Sequence, residues 1–154
     1  MTDELDKIDL KILRLLQKDG RLSNAELAQR VDVSAATCHR RTQRLFDAGY
    51  IEGVRASIAP ARVNRGTLVV VGVVLDRSTP ESFAAFEAAI RKLPAVLDCH
   101  LVAGDFDYFL KIRVHDIADF NRLHGSRLIA VPGVRQTRTF FVMKEVVDNA
   151  PLDF

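Results

Sequence analysis

Three observations predict an α+β chain built in two parts. The first fifty residues hold three short helical stripes separated by polar breaks. From Leu68 onward, strand-length and helix-length apolar segments follow in the order β-α-β-β-α-β, and the basic excess of the chain is confined to the first part. With 154 residues and 48% hydrophobic content, the chain is long enough to bury one medium core or two small ones.

The first helix is marked by Leu5, Ile8, Ile12, Leu13 and Leu16 at helical spacing, with Asp6 and Asp9 loading its first turn and Gly20 ending the run. Ser23 or Asn24 caps a second helix whose inner face is Leu27, Ala28 and Val31, and Asp32-Val33-Ser34 then turns the chain. Small Ala28 lets two helices cross closely. Ser34 caps a third helix with Cys38, Thr42 and Leu45 on its inner stripe, and Gly49 stands where a left-handed C-terminal residue is expected.

Opposite that inner stripe lie Ala36, Arg40, Gln43 and Asp47, flanked by Thr37 and Arg44. Helix-turn-helix modules present base-reading side chains from the first turns of their second helix, so this face is expected to enter a major groove of double-stranded DNA. Ala36 permits close approach, Thr37 and Gln43 can hydrogen-bond base edges, and Arg40 can reach a guanine bidentately. Arg41 and Arg44 are expected on phosphates, as is His39 if it is more than a solvated surface residue; Ser34 stands at the helix N-terminus beside them. Charge supports this. Residues 1–66 carry 12 Lys and Arg against 9 Asp and Glu, residues 67–154 carry 10 against 11, and between Ala35 and Arg65 six arginines meet only Asp47 and Glu52. The competing reading is that an exposed helix carries arginine for solubility alone.

Residues 51–66 read as a linker strand ending in a Pro, Asn and Gly boundary, which makes 1–50 the first domain and 67–154 the second. LVVVGVVLD opens the second domain as a strand. Thr79-Pro80 starts a helix whose buried stripe is Phe83, Phe86, Ile90 and Leu93. Strands are expected at about Val96 to Ala103 and Phe106 to Val114. A helix from about Asp116 turns Phe120, Leu123 and Leu128 inward, and a last strand runs from about Val134 to Val146. Pro94-Ala95-Val96 and Pro132-Gly133-Val134 recur 38 residues apart where helix gives way to strand. Two such halves make a ferredoxin-like βαββαβ sheet with both helices on one face. The other face, left bare and apolar, is expected to associate with a second copy.

No run approaches the roughly 18 apolar residues of a membrane helix, and the acidic start MTDELDKIDL lacks the apolar stretch of a secretory leader, so a cytoplasmic protein with no membrane partner is expected. Cys38 and Cys99 have no pair spacing and read as small buried residues. His39, His100, His115 and His124 make no metal-ligand spacing. No glycine-rich phosphate loop, nucleophile elbow or nucleophile with a base at hand is visible, so neither metal, cofactor nor catalysis is expected.

Over nearly its full length the chain resembles the Lrp/AsnC, or feast/famine, transcription regulators. The likeness is carried by Leu5-Asp6, Asp9, Ile12-Leu13, Leu16, Gly20-Arg21-Leu22-Ser23, Glu26-Leu27-Ala28, Ser34, Arg41, Arg44-Leu45 and Gly49-Tyr50-Ile51, then by Gly104-Asp105-Phe106-Asp107-Tyr108 and Pro132-Gly133-Val134. Thr42, Cys38 and Val54-Arg55-Ala56 depart from the usual pattern. The resemblance implies a winged-type helix-turn-helix domain joined to a ligand-sensing, oligomerising domain. It implies homodimers that assemble into octamers or other even-numbered rings, with a small amino acid or related metabolite bound between dimers. On this chain the effector residues would be Gly104, Asp105, Phe106, Asp107 and Tyr108 with Thr137 and Thr139. The chemistry suits an amino acid: a glycine turn bares N–H groups for a carboxylate, Asp105 or Asp107 accepts from an ammonium, threonine hydroxyls serve either group, and Phe106 or Tyr108 walls the side chain. The same residues also read as an Asp-rich hairpin turn with Tyr108 packed in the core. Alternatives for the whole chain are an enzyme on a similar two-domain plan, such as a siroheme decarboxylase, and a non-specific architectural DNA-binding protein.

Overall fold

The computed structural model describes residues 4–154, which form two compact units: residues up to Ser57 together with Val147–Phe154, and Ile58–Val146. This partition differs from the one expected. The last eight residues group with the first unit, and residues 58–66 with the second.

The first unit is three helices, α1 (Lys7–Leu16), α2 (Asn24–Val31) and α3 (Ala35–Asp47). Each begins where a side chain can take the orphan N–H groups of the first turn. Asp6 and Asp9 form a reciprocal capping box on α1, Ser23 and Glu26 do the same on α2, and Ser34 accepts from Thr37 on α3. Asn24 does not cap; its amide donates to the Ala35 carbonyl at 2.9 Å. Asp32 closes α2 in the left-handed conformation at φ 59°, and Gly49, at φ 77°, follows α3. Ile12, Leu27, Ala28, Val31, Cys38 and Leu45 make the buried core. Among the described residues before Thr67 no strand is assigned: the expected linker strand has no ladder partner, and Pro60–Val63 is a 3-10 turn.

The second unit runs β1 (Thr67–Leu75), α4 (Pro80–Ile90), β2 (Val96–Leu101), β3 (Tyr108–Val114), α5 (Ile117–Leu123) and β4 (Val134–Phe141). Thr79 and Asp116 cap the two helices. A π-helical turn, His124–Leu128, continues α5, which is how Leu128 comes to be buried beyond the end of the helix proper. The sheet order is β2-β3-β1-β4, antiparallel throughout, the ferredoxin-like arrangement. Val69, Val71, Val73 and Leu75 of β1 and Tyr108, Leu110, Ile112 and Val114 of β3 face Phe86, Ile90 and Phe120 of the helices. β4 stops at Phe141, five residues before the expected end, because its ladder with β1 ends where Val69 meets Phe141.

Alternation sends Val70, Gly72 and Val74 to the other face. There a Cβ on Gly72 would lie 2.7 Å from the Phe106 ring, so glycine is what lets that ring lie on the strand. Arg138, opposite Gly72 across the ladder, stacks its guanidinium 5.9 Å from the centre of the same ring. Phe140 stands about half exposed on this face.

Candidate nucleic-acid interface and effector region

A charge cluster ties helix α3 to the start of α1. Asp9 sits on the apolar stripe of α1 and is 1% exposed. Its Oδ1 accepts from Arg41 Nη1 at 2.9 Å and its Oδ2 from Arg44 Nη2 at 2.6 Å, while Asp6 Oδ2 takes Arg41 Nη1 at 2.7 Å. Two arginines expected on phosphates are thus turned inward onto α1. Arg41 Nε is itself buried without a hydrogen-bond partner, which shows how far that head group has been drawn in.

The rest of the expected reading face points outward. Ser34, Ala36, His39, Arg40 and Gln43 are exposed and Thr37 is half-buried. The Ser34 hydroxyl donates to Thr37 Oγ1 at 3.0 Å, and Gln43 Nε2 donates to Asp47 at 2.9 Å. Inside, Thr42 takes its place on the inner stripe with its hydroxyl buried and unpartnered.

The Asp9 backbone N–H, and after it the Arg41 guanidinium, hold the Asp6 carboxyl below its ordinary value of 3.8. A depressed carboxyl contributes stability that is present above the unfolded value and lost as pH falls through the lower folded one. Acid unfolding followed by circular dichroism is therefore expected to be less steep below about pH 4 in Asp6→Asn than in the parent chain.

The residues expected to hold an effector are not gathered in one place. Gly104, at φ 145°, and Asp105 are exposed in the β2–β3 turn. Asp107 ties that turn to β1, its N–H donating to the Val73 carbonyl at 2.9 Å and its carboxylate accepting from the Leu75 N–H at 2.7 Å. Phe106 lies on the open face. Tyr108 lies on the helix face, 1% exposed, stacked at 4.5 Å on Phe86, its hydroxyl donating to Glu87 at 2.8 Å. Burial, then the Glu87 hydrogen bond, push its phenol pKa up. Thr137 and Thr139 pair with Val73 and Val71 and so also face the helices, where Thr137 meets His124 at 2.9 Å.

Sequence reasoning passed over Glu87 and Arg91. With Tyr108, Cys99, Leu101 and Ile90 they line a cavity of about 370 Å³ between α4 and β2. Glu87 and Arg91 are ion-paired at 3.2 Å, and burial pushes the Cys99 thiol pKa up, keeping it neutral. Glu87 and Arg91 could have been found from their i,i+4 spacing on α4.

A capped three-helix unit with an exposed, arginine-bearing second motif helix, followed by a ferredoxin-like sheet, defines a two-part DNA-binding regulator. Comparison with known proteins agrees. A family model described as the Lrp/AsnC ligand binding domain matches residues 68–152, and one described as winged helix-turn-helix DNA-binding matches residues 5–52. The leucine-responsive regulatory protein of Salmonella typhimurium is 47% identical over 143 residues, 93% of this chain and 87% of that protein; its Escherichia coli counterpart is 46% identical over the same span. Among solved structures, a transcriptional regulator from Neisseria meningitidis in complex with L-Met superimposes with a TM-score of 0.92 at 36% identity, covering 97% of both chains. An AsnC-family regulator from Agrobacterium tumefaciens gives 0.91 at 30%, again over 97% of both. The chain belongs to the Lrp/AsnC family of transcriptional regulators.

Proposed function

We propose that this regulator reads DNA with the outward face of α3, on Ala36, Thr37, His39, Arg40 and Gln43 with Ser34 at the helix start, and that Arg41 and Arg44 brace that helix from behind. The observation that carries this is the division of its arginines: Arg40 exposed, Arg41 and Arg44 bonded to buried Asp9. Arg40→Ala is expected to weaken binding to a preferred duplex, found by selection from a random pool, by roughly 1–3 kcal/mol and binding to random duplex little. Equal loss on both would remove Arg40 from base reading.

The effector half of the reading draws on the relatives, one named for its response to leucine and one solved with L-Met. A small amino acid binds the second unit, and its coupling to DNA affinity is of the order of 1–3 kcal/mol. The open face of the sheet, with Val70, Val74, Phe106 and Phe140, joins two copies, and such dimers place two recognition helices about one helical turn of DNA apart. Even-numbered assemblies of these dimers, in the cytoplasm, complete the proposal. A thermal-shift series with each of the common amino acids tests it: an effector at about 100 times its Kd adds about 2.7 kcal/mol to the bound state. No shift from any of them would remove the amino-acid effector while leaving the DNA reading intact. A coloured tetrapyrrole copurifying with the chain would instead favour the decarboxylase plan.

A further inference from the structure

We propose that Asp9 withholds Arg41 and Arg44 from the DNA backbone and so sets the balance between sequence-specific and sequence-independent binding. The proposal rests on the DNA reading just given. Sequence-independent affinity grows with the number of phosphates a protein neutralises, whereas discrimination is the difference between affinities for the right and the wrong site. A helix that laid three arginines on the backbone would gain on every duplex alike.

Here two of the three are already neutralised. Asp9 and Asp6 offer two carboxylates to two guanidiniums, with contacts of 2.6 to 2.9 Å. For a phosphate to capture Arg44 or Arg41, it would have to leave Asp9 under-compensated beside Ile12 in the core, where an anion without its partners is strongly unfavourable. Asp9 touches no DNA in this account. It is a positioning residue, acting through the two arginines it holds, and Arg40 is left as the cation that meets the groove.

The experiment is the salt dependence of binding by the full-length chain to a random duplex and to the selected duplex, between 50 and 200 mM salt on the scale where such slopes are read, roughly. Asp9→Asn, confirmed as helical by circular dichroism, is expected to bind random duplex more tightly, with a slope of log K against log salt steeper by about 0.9 for each arginine released. Its ratio of selected to random affinity is expected to fall. A merely structural role would weaken both duplexes and leave the slope unchanged, and that result overturns the proposal. If Asp9→Asn does not fold, Arg44→Gln decides, because Asp9 then keeps Arg41: an unchanged slope supports the proposal, and a slope shallower by about 0.9 puts Arg44 on a phosphate and overturns it. Failure of the parent chain to bind any duplex at low salt removes the DNA reading and this proposal together. A parent that binds normally beside an unaltered Asp9→Asn removes the proposal alone.

Discussion

Asp9→Ala is expected to destabilise the helical unit by about 3 kcal/mol, the lower end of what removing one partner of a buried ion pair costs. The lower end applies because the stranded guanidiniums are not fully enclosed: the Arg41 and Arg44 side chains are 20% and 30% exposed, so water recovers part of the loss. Hydrogen exchange of the α1 and α3 amides, followed through a urea titration, measures the loss where it occurs. Arg122→Ala provides the contrast. Its pair with Asp119 spans 3.3 Å on a side chain 71% exposed, and solvent-screened pairs of that kind contribute little. If the two substitutions cost the same, Asp9 is not the joint between α1 and α3.

Glu145→Ala is expected to cost the sheet unit about 2 kcal/mol, the penalty of leaving a buried donor without its acceptor. Arg113 sits on β3, 8% exposed, and its Nη2 donates to Glu145 Oε1 at 2.6 Å. Glu145 lies beyond the end of β4, so the pair draws the outgoing chain back toward a strand that is not the neighbour of β4 in the sheet. Deleting the acid leaves a buried cation; deleting both charges does not. The double variant Arg113→Leu/Glu145→Leu is therefore expected to unfold closer to the parent than Glu145→Ala does, since well-packed apolar pairs often replace buried ion pairs at little cost. Thermal unfolding of the three chains at neutral pH checks the order, and a double variant weaker than the single one would contradict it.

Much of the architecture was legible because it is written locally. Asp6, Ser23, Ser34, Thr79 and Asp116 each start a helix with a side-chain hydrogen bond to its first turn, and such caps depend only on residues two or three positions apart. Burial of Leu27, Ala28, Val31 and Phe86 followed from period alone. What escaped depends on partners far along the chain. In sequence Asp9 reads as a charge near a helix N-terminus, although its spacing from Leu5 and Ile12 puts it on the apolar stripe; a carboxylate there needs cations from elsewhere, and they lie 32 and 35 residues away. The expected effector residues are divided between the two faces of the sheet for a geometric reason. Phe106 and Tyr108 have the same parity, but the β3 ladder begins only at Tyr108, so the turn before it is not bound to alternation and Phe106 swings to the opposite face. Gly72, inside an otherwise apolar run, was the one local sign that something large must lie against β1.

The helical unit is discontinuous along the polypeptide. Gln17 on α1 grips the main chain of Leu152 in both directions, its amide donating to the carbonyl at 2.7 Å and accepting from the N–H at 3.0 Å, and Arg14 lies over the Phe154 ring at 5.5 Å. The whole sheet is thus spliced into the helical unit as an insert, between Ser57 and Val147. A fragment cut after Ser57 would carry every helix of the reading head yet lack the segment that completes it, so its melting point and duplex affinity would describe an unfinished object.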